Sequence, residues 1–209
     1  MTAQASERHI METVTSIEKS GRKSRTYAIA ATAVMTAALC IIAPFSVPVG
    51  PVPISLATLV IYLAVYVLGW KMGTVSVLLY LLLGMVGIPV FSGFSGGFVK
   101  LAGPTGGYLI GYVPLALLSG LFILLSTKLP STDKRATKSI LPRLIQVAGM
   151  VLGTAVLYAL GTAWFCIIMD CTASYAMGLC VLPFIPGDLI KILIAILIGP
   201  ELKKRIINQ

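Results

Sequence analysis

Six apolar runs dominate this chain, at about 27–45, 53–69, 74–90, 105–125, 144–169 and 177–199. Each approaches the roughly 20 residues that a helix needs to cross ~30 Å of hydrocarbon. Breakers separate them: Pro44, Pro48, Pro51 and Pro53 at the first gap, Gly69 at the second, Pro89 and a glycine-rich stretch after the third, and a charged stretch after the fourth. Of the 209 residues, 57% are hydrophobic and only 11% charged, and the mean hydropathy is +0.97. A soluble domain of this size cannot hide that much apolar surface. The expected fold class is therefore an all-α integral membrane protein of six transmembrane helices, with a cytoplasmic N-terminal tail over 1–26 and one membrane domain over 27–209.

The net charge of +9 does not point to nucleic acid, because the basic residues punctuate the apolar runs instead of gathering on one face. With the N-terminus inside, 14 of the 16 basic residues fall on one side of the membrane. They comprise Arg8 to Arg25 in the tail, Lys71, the cluster from Lys128 to Arg143, and Lys203, Lys204 and Arg205. Positive-inside insertion then makes both termini cytoplasmic and the location the cell (inner) membrane, multi-pass. The polar first 26 residues do not read as a cleavable signal peptide. Ile10, Val14 and Ile17 follow a helical spacing that suits either a membrane-surface helix or a disordered tail.

Few groups at membrane depth can do chemistry. Outside the cytoplasmic segments only Lys100, Asp170, Asp188 and Lys191 carry charge, and charge in a bilayer marks function by default. Asp170 ends the fifth run beside a polar connection and reads as an interfacial carboxylate. Asp188 and Lys191 follow Pro183-Phe184-Ile185-Pro186-Gly187, and the prolines should interrupt the sixth run so that Asp188 opens its inner helical part. Three residues apart, the two share a helix face. They make either a mutual ion pair or a polar pocket with one acceptor and one cation.

The stretch 84–111 holds 9 of the 20 glycines. It suits a backbone that approaches a ligand closely, or a flexible outer loop leading to a close helix contact. Thr105 is a candidate N-cap for the fourth helix. No Walker A lysine follows these glycines, so ATP hydrolysis belongs to another chain. Ala33 and Ala37 have the small-xxx-small spacing of a helix contact, within this chain or with a partner. The four cysteines match no metal or redox spacing, although Cys171 and Cys180 could bridge if their connection faces outward. No metal or cofactor is expected. His9, the one histidine, lies in the tail, so no hydrolase triad is available within the membrane.

Several stretches carry a family resemblance. They are Pro51-Val52-Pro53-Ile54-Ser55-Leu56, 78–84 with Gly87-Ile88-Pro89-Val90-Phe91, Gly96-Gly97, Gly103-Pro104-Thr105-Gly106-Gly107-Tyr108, and Pro183 through Lys191. In this order the chain resembles the BioY family, the biotin-specific substrate-capture (S) components of energy-coupling-factor (ECF) transporters. The resemblance implies a non-enzymatic subunit that captures biotin from outside. It also implies an ECF transmembrane coupling subunit and two ATPases as partners, with the alanine face of the first helix (Ala33, Ala37) as the contact. Biotin suits the residues present. Its ureido N–H groups would meet Asp188, its ureido carbonyl backbone N–H groups or Ser95, and its carboxylate Lys191, while Phe91 and Tyr108 cover the apolar ring and chain.

Two positions depart from the family pattern: Ala57, where members often have Gln, and Leu109, where some carry Arg. Without that Arg, Lys100 is expected to help hold the carboxylate. Two other readings stay open. One is an S component for another vitamin. The other is an intramembrane aspartyl hydrolase using Asp170 and Asp188 as a carboxylate pair.

Overall fold

The computed structural model describes residues 26–48, 52–128 and 140–207. The N-terminal stretch read as either a surface helix or a disordered tail, and the basic residues Lys134, Arg135 and Lys138, lie outside them. Helix α1 spans Thr26–Ile42. A two-residue antiparallel hairpin follows, β1 (Ser46–Val47) paired with β2 (Ile54–Ser55). Then come α2 (Ala57–Met85), the five-residue α3 (Phe98–Ala102), α4 (Gly106–Lys128), α5 (Ile140–Met169), α6 (Ala173–Cys180) and α7 (Ile185–Ile207). Helices α2, α4 and α5 are long and apolar enough to cross a membrane, and α6 with α7 makes a fourth such unit, bent by 52°. The protein is thus a helical, multi-pass membrane protein.

Helix α2 is not one rod. Gly69 adopts φ 77°, ψ 175°, a conformation that breaks the helical path and that glycine tolerates readily. A Cβ built on Gly73 would lie 3.0 Å from the Cα of Val65, whereas residues eight apart on a straight helix are separated by about 12 Å of rise. The chain therefore doubles back at Gly69, and residues 57–68 and 70–85 form two antiparallel arms. The second and third apolar runs correspond to these arms, joined by one residue instead of the expected four-residue gap.

Packing follows small residues. Helices α4 and α5 lie antiparallel, with Gly107 against Trp164, Gly111 against Leu157, Gly153 against Leu115 and Gly149 against Phe122. Gly107 and Gly111, like Gly149 and Gly153, are four residues apart, the spacing that lets two helix backbones approach in lipid. The second α2 arm meets α1 through Thr36 and Ser76, whose hydroxyls are 3.1 Å apart. At the other end of α1, the Tyr27 hydroxyl donates to the Ile206 carbonyl at 2.7 Å, so the two ends of the described chain lie together.

Candidate functional site

The Pro183–Gly187 segment does interrupt the sixth run: α7 begins at Ile185, at an angle to α6, and places Asp188 in its first turn. Asp188 is 5% exposed and Lys191 6%. Lys191 Nζ lies 2.8 Å from Asp188 Oδ1, an i,i+3 ion pair, and also donates to the Ser55 carbonyl at 2.6 Å. Thr58 Oγ1 donates to Asp188 Oδ1 at 3.2 Å, and the Tyr158 hydroxyl donates to Oδ2 at 2.5 Å. Two buried charges in an apolar bundle are tolerable only when paired and hydrogen-bonded in this way. The α2 arm supplies Thr58, α5 supplies Tyr158, and β2 supplies the Ser55 carbonyl. Ser55 is itself fixed, since its hydroxyl donates to the Ala43 carbonyl at 2.8 Å.

Next to this cluster is a small, partly open cavity of about 30 Å3, lined among others by Pro53, Phe91, Lys100, Thr105, Tyr108 and Tyr112. Tyr112 lies within electrostatic reach of Asp188 and so joins the two parts. Lys100 is half-buried in the middle of α3, and its ammonium makes no hydrogen bond or ion pair among the described residues. Thr105 Oγ1 is fully buried and also without a partner. Its carbonyl accepts from Leu109 N–H at the start of α4, but its hydroxyl does not cap the helix. A cation and a hydroxyl, both uncommitted among the described residues, line one small space, a combination with the chemistry to hold an anionic group.

The glycines of the Gly103–Tyr108 motif shape this wall. A Cβ on Gly106 would sit 1.6 Å from the Leu101 carbonyl oxygen, a backbone atom with little freedom to move. Gly106→Ala is therefore expected to destabilise the fold by about 1–3 kcal/mol, seen as a lower unfolding midpoint in detergent. Gly178→Ala in α6, where a Cβ meets nothing within 4 Å, should leave the midpoint unchanged or raise it.

Of the six expected ligand residues, the structure gathers Phe91, Lys100 and Tyr108 on the cavity and pairs Asp188 with Lys191. Phe91 is fully buried, its ring edge-on to Tyr80 at 5.6 Å and packed on Gly84, so one side is structural and the other lines the cavity. The Tyr108 hydroxyl is 3.3 Å from Thr162 Oγ1. Ser95 is placed differently. Its hydroxyl donates to the Ser92 carbonyl at 2.9 Å within the 91–95 turn, and Ser92 lines the cavity instead. Lys191 already spends two of its three ammonium protons on Asp188 and the Ser55 carbonyl, whereas the Lys100 ammonium has no partner among the described residues.

Asp170 does not pair with Asp188. It is exposed in the turn after α5, and both oxygens of Asp188 are held by Lys191, Thr58 and Tyr158. A shared-proton carboxylate pair has no place here. Cys171 and Cys180 are both free thiols.

The family profile described as the BioY family matches residues 12–208. The chain belongs to the BioY family. Among BioY relatives, the biotin transporter BioY of Thermotoga maritima is 37% identical over 172 residues, covering 82% of this chain and 92% of that protein. A probable biotin transporter BioY of Pyrococcus horikoshii is 35% identical, covering 77% of this chain and 86% of its own length. A crystal structure of the S-component for biotin from an ECF-type ABC transporter superposes with a TM-score of 0.74 at 28% identity, over 87% of this chain and 93% of that one. The BioY fold found here therefore matches that of a solved transport subunit.

Proposed function

We propose that this chain is the biotin-binding membrane subunit of an uptake system, working in the cell membrane with a transmembrane coupling subunit and ATPases. The observation that carries this reading is the pairing of a buried Asp188–Lys191 ion pair, whose Oδ2 accepts only one hydrogen bond, with a cavity that presents an unpartnered cation, Lys100. Biotin is an anion at one end and a polar urea at the other. Its ureido N–H groups meet Asp188, and Tyr112 and Tyr108 flank the apolar ring and chain. Its carboxylate meets Lys100, with the Thr105 hydroxyl donating a further hydrogen bond.

A cavity of about 30 Å3 has room for roughly one water and none for a bicyclic ligand with its side chain. Binding therefore requires the covering segments to move. The cover consists of the β1–β2 hairpin and the 91–95 turn, which are joined by Gly93 N–H donating to the Pro44 carbonyl at 2.9 Å and by the Phe45–Phe94 ring pair. One hydrogen bond and one aromatic edge contact make a modest latch.

For topology we read six spans: α1, the two α2 arms, α4, α5, and α6 with α7. The adjacency of Tyr27 and Ile206 supports an even number of crossings. The basic residues of the sequence at both termini support a cytoplasmic reading for them. Ala33 and Ala37 are exposed on α1, whereas Thr32, Thr36 and Leu39 face the bundle. That exposure favours a partner helix over internal packing as the use of the small-residue face.

The ligand orientation is tested by titrating wild type and Lys100→Ala with biotin and biotin methyl ester. Loss of a charge-assisted hydrogen bond, about 1.5–3 kcal/mol, should weaken biotin by roughly 10- to 150-fold and the ester by far less. Equal weakening of acid and ester would remove Lys100 from the carboxylate.

A further inference from the structure

A second cavity, about 340 Å3, lies at the opposite end of the bundle from Lys100, walled by the first α2 arm, α4, α5 and α7. Its lining has two characters. Ile123, Pro200 and the ring of Tyr66 make an apolar wall, and Lys203 and Lys204 stand on α7 at its rim. The floor is polar and rigid. The Tyr66 hydroxyl donates to Gln146 Oε1 at 2.8 Å, Gln146 Nε2 donates to Ser126 Oγ at 2.8 Å, and Ser126 in turn donates to the Ile123 carbonyl at 2.7 Å. That uses one of the two amide protons of Gln146. Arg143, three residues before Gln146 on α5, is close enough for its charge to act on Tyr66.

Neither lysine at this rim has a carboxylate partner within the described residues; the ion pair on this turn is Arg205 with Glu201. Position adds a constraint. Gly120 packs against Trp70, the aromatic residue next to Lys71 at the Gly69 turn, and Ile123 lies one turn of α4 further along. The cavity thus sits at the level where a Trp–Lys pair marks a membrane interface. An apolar wall, a cationic rim and an interfacial depth fit an amphiphile with an anionic head better than a small free anion.

We propose that this cavity binds the phosphate headgroup of an anionic phospholipid, with Lys203 and Lys204 holding the phosphate, Gln146 donating to its oxygens and the Ile123–Pro200 wall taking the start of an acyl chain. The site is separate from the biotin reading and does not depend on it. Basic pockets between membrane helices are the kind of place where such headgroups settle.

The test is mass spectrometry of the intact protein from detergent, titrated with phosphatidylglycerol, with phosphatidylcholine, or with inorganic phosphate. Wild type should take up one phosphatidylglycerol saturably, in preference to phosphatidylcholine. Lys203→Gln/Lys204→Gln should weaken that uptake roughly thirtyfold, at about fivefold for each lysine. Lys203→Arg/Lys204→Arg should retain it. Lys71→Gln/Arg205→Gln removes the same charge from the same end and should change it less than threefold. Unliganded melting of each variant reports folding separately. Equal uptake of the two lipids, equal loss in both charge-removal variants, or inorganic phosphate competing at the same concentration as the lipid would each overturn the proposal.

Discussion

Asp188→Asn is expected to weaken biotin binding by at least about a hundredfold, because it removes the only buried carboxylate among the described residues and leaves Lys191 charged among neutral acceptors. The same change should also destabilise the fold, since breaking a buried pair from one side costs roughly 3–5 kcal/mol. Loss of binding alone would therefore not separate a ligand contact from a structural ion pair. The double variant Asp188→Asn/Lys191→Met does. With both charges gone the burial penalty disappears, and the unfolding midpoint should return to wild type or above it. Biotin binding should not return. Recovery of both properties together would make the pair purely structural; recovery of neither would mean that the Asn amide is left unsatisfied among Thr58 and Tyr158. Tyr158→Phe supplies an intermediate case, removing one donor from Oδ2 while keeping the ion pair.

The second large effect concerns assembly. Ala33→Leu/Ala37→Leu enlarges two side chains that point away from the bundle, so the isolated chain should fold and bind biotin as before. Close helix approach depends on small residues in lipid, and two added isobutyl groups should exclude a partner helix. Co-purification with the coupling subunit and biotin uptake by cells should both be lost, with titration of the isolated chain unchanged. If biotin binding by the isolated chain fell as well, this face would be packing within the chain and not an interface.

Much of this architecture was legible from hydropathy because lipid imposes the same length and satisfaction rule on every crossing segment. The 105–125 and 144–169 runs correspond to α4 and α5, and the Pro183–Gly187 break corresponds to the joint between α6 and α7. Gly69 was visible as a breaker. That a single residue would suffice to reverse the chain was not, since reversal depends on its positive φ and on Gly73 admitting Val65.

At the site, the charges were conspicuous and their partners were not. Thr58, Tyr158 and the Ser55 carbonyl lie 130, 30 and 136 residues from the groups they bind, and helical periodicity carries no information at such separations. A signal did exist in hindsight. Thr58, Tyr62 and Tyr66 recur every four residues on an apolar arm; Tyr62 and Tyr66 meet Thr154 and Gln146 on α5, and Thr58 shares Asp188 with Tyr158. Thr154 spends its proton on the Met150 carbonyl, so Tyr62 must be the donor between them. A polar stripe at helical spacing inside a crossing segment calls for a polar stripe opposite, and this one could have been sought in the sequence. Thr105 has the residue type and position of a helix cap, yet its buried hydroxyl has no partner among the described residues, while the Ser95 hydroxyl donates within its own turn.

The account rests on biotin as the ligand, and equilibrium titration of the purified wild-type chain with biotin tests it most directly. A single saturable site, undiminished by excess of other vitamins, is the predicted result. A chain with an intact cooperative melt that takes up no biotin, or that releases it to another vitamin, would contradict the assignment.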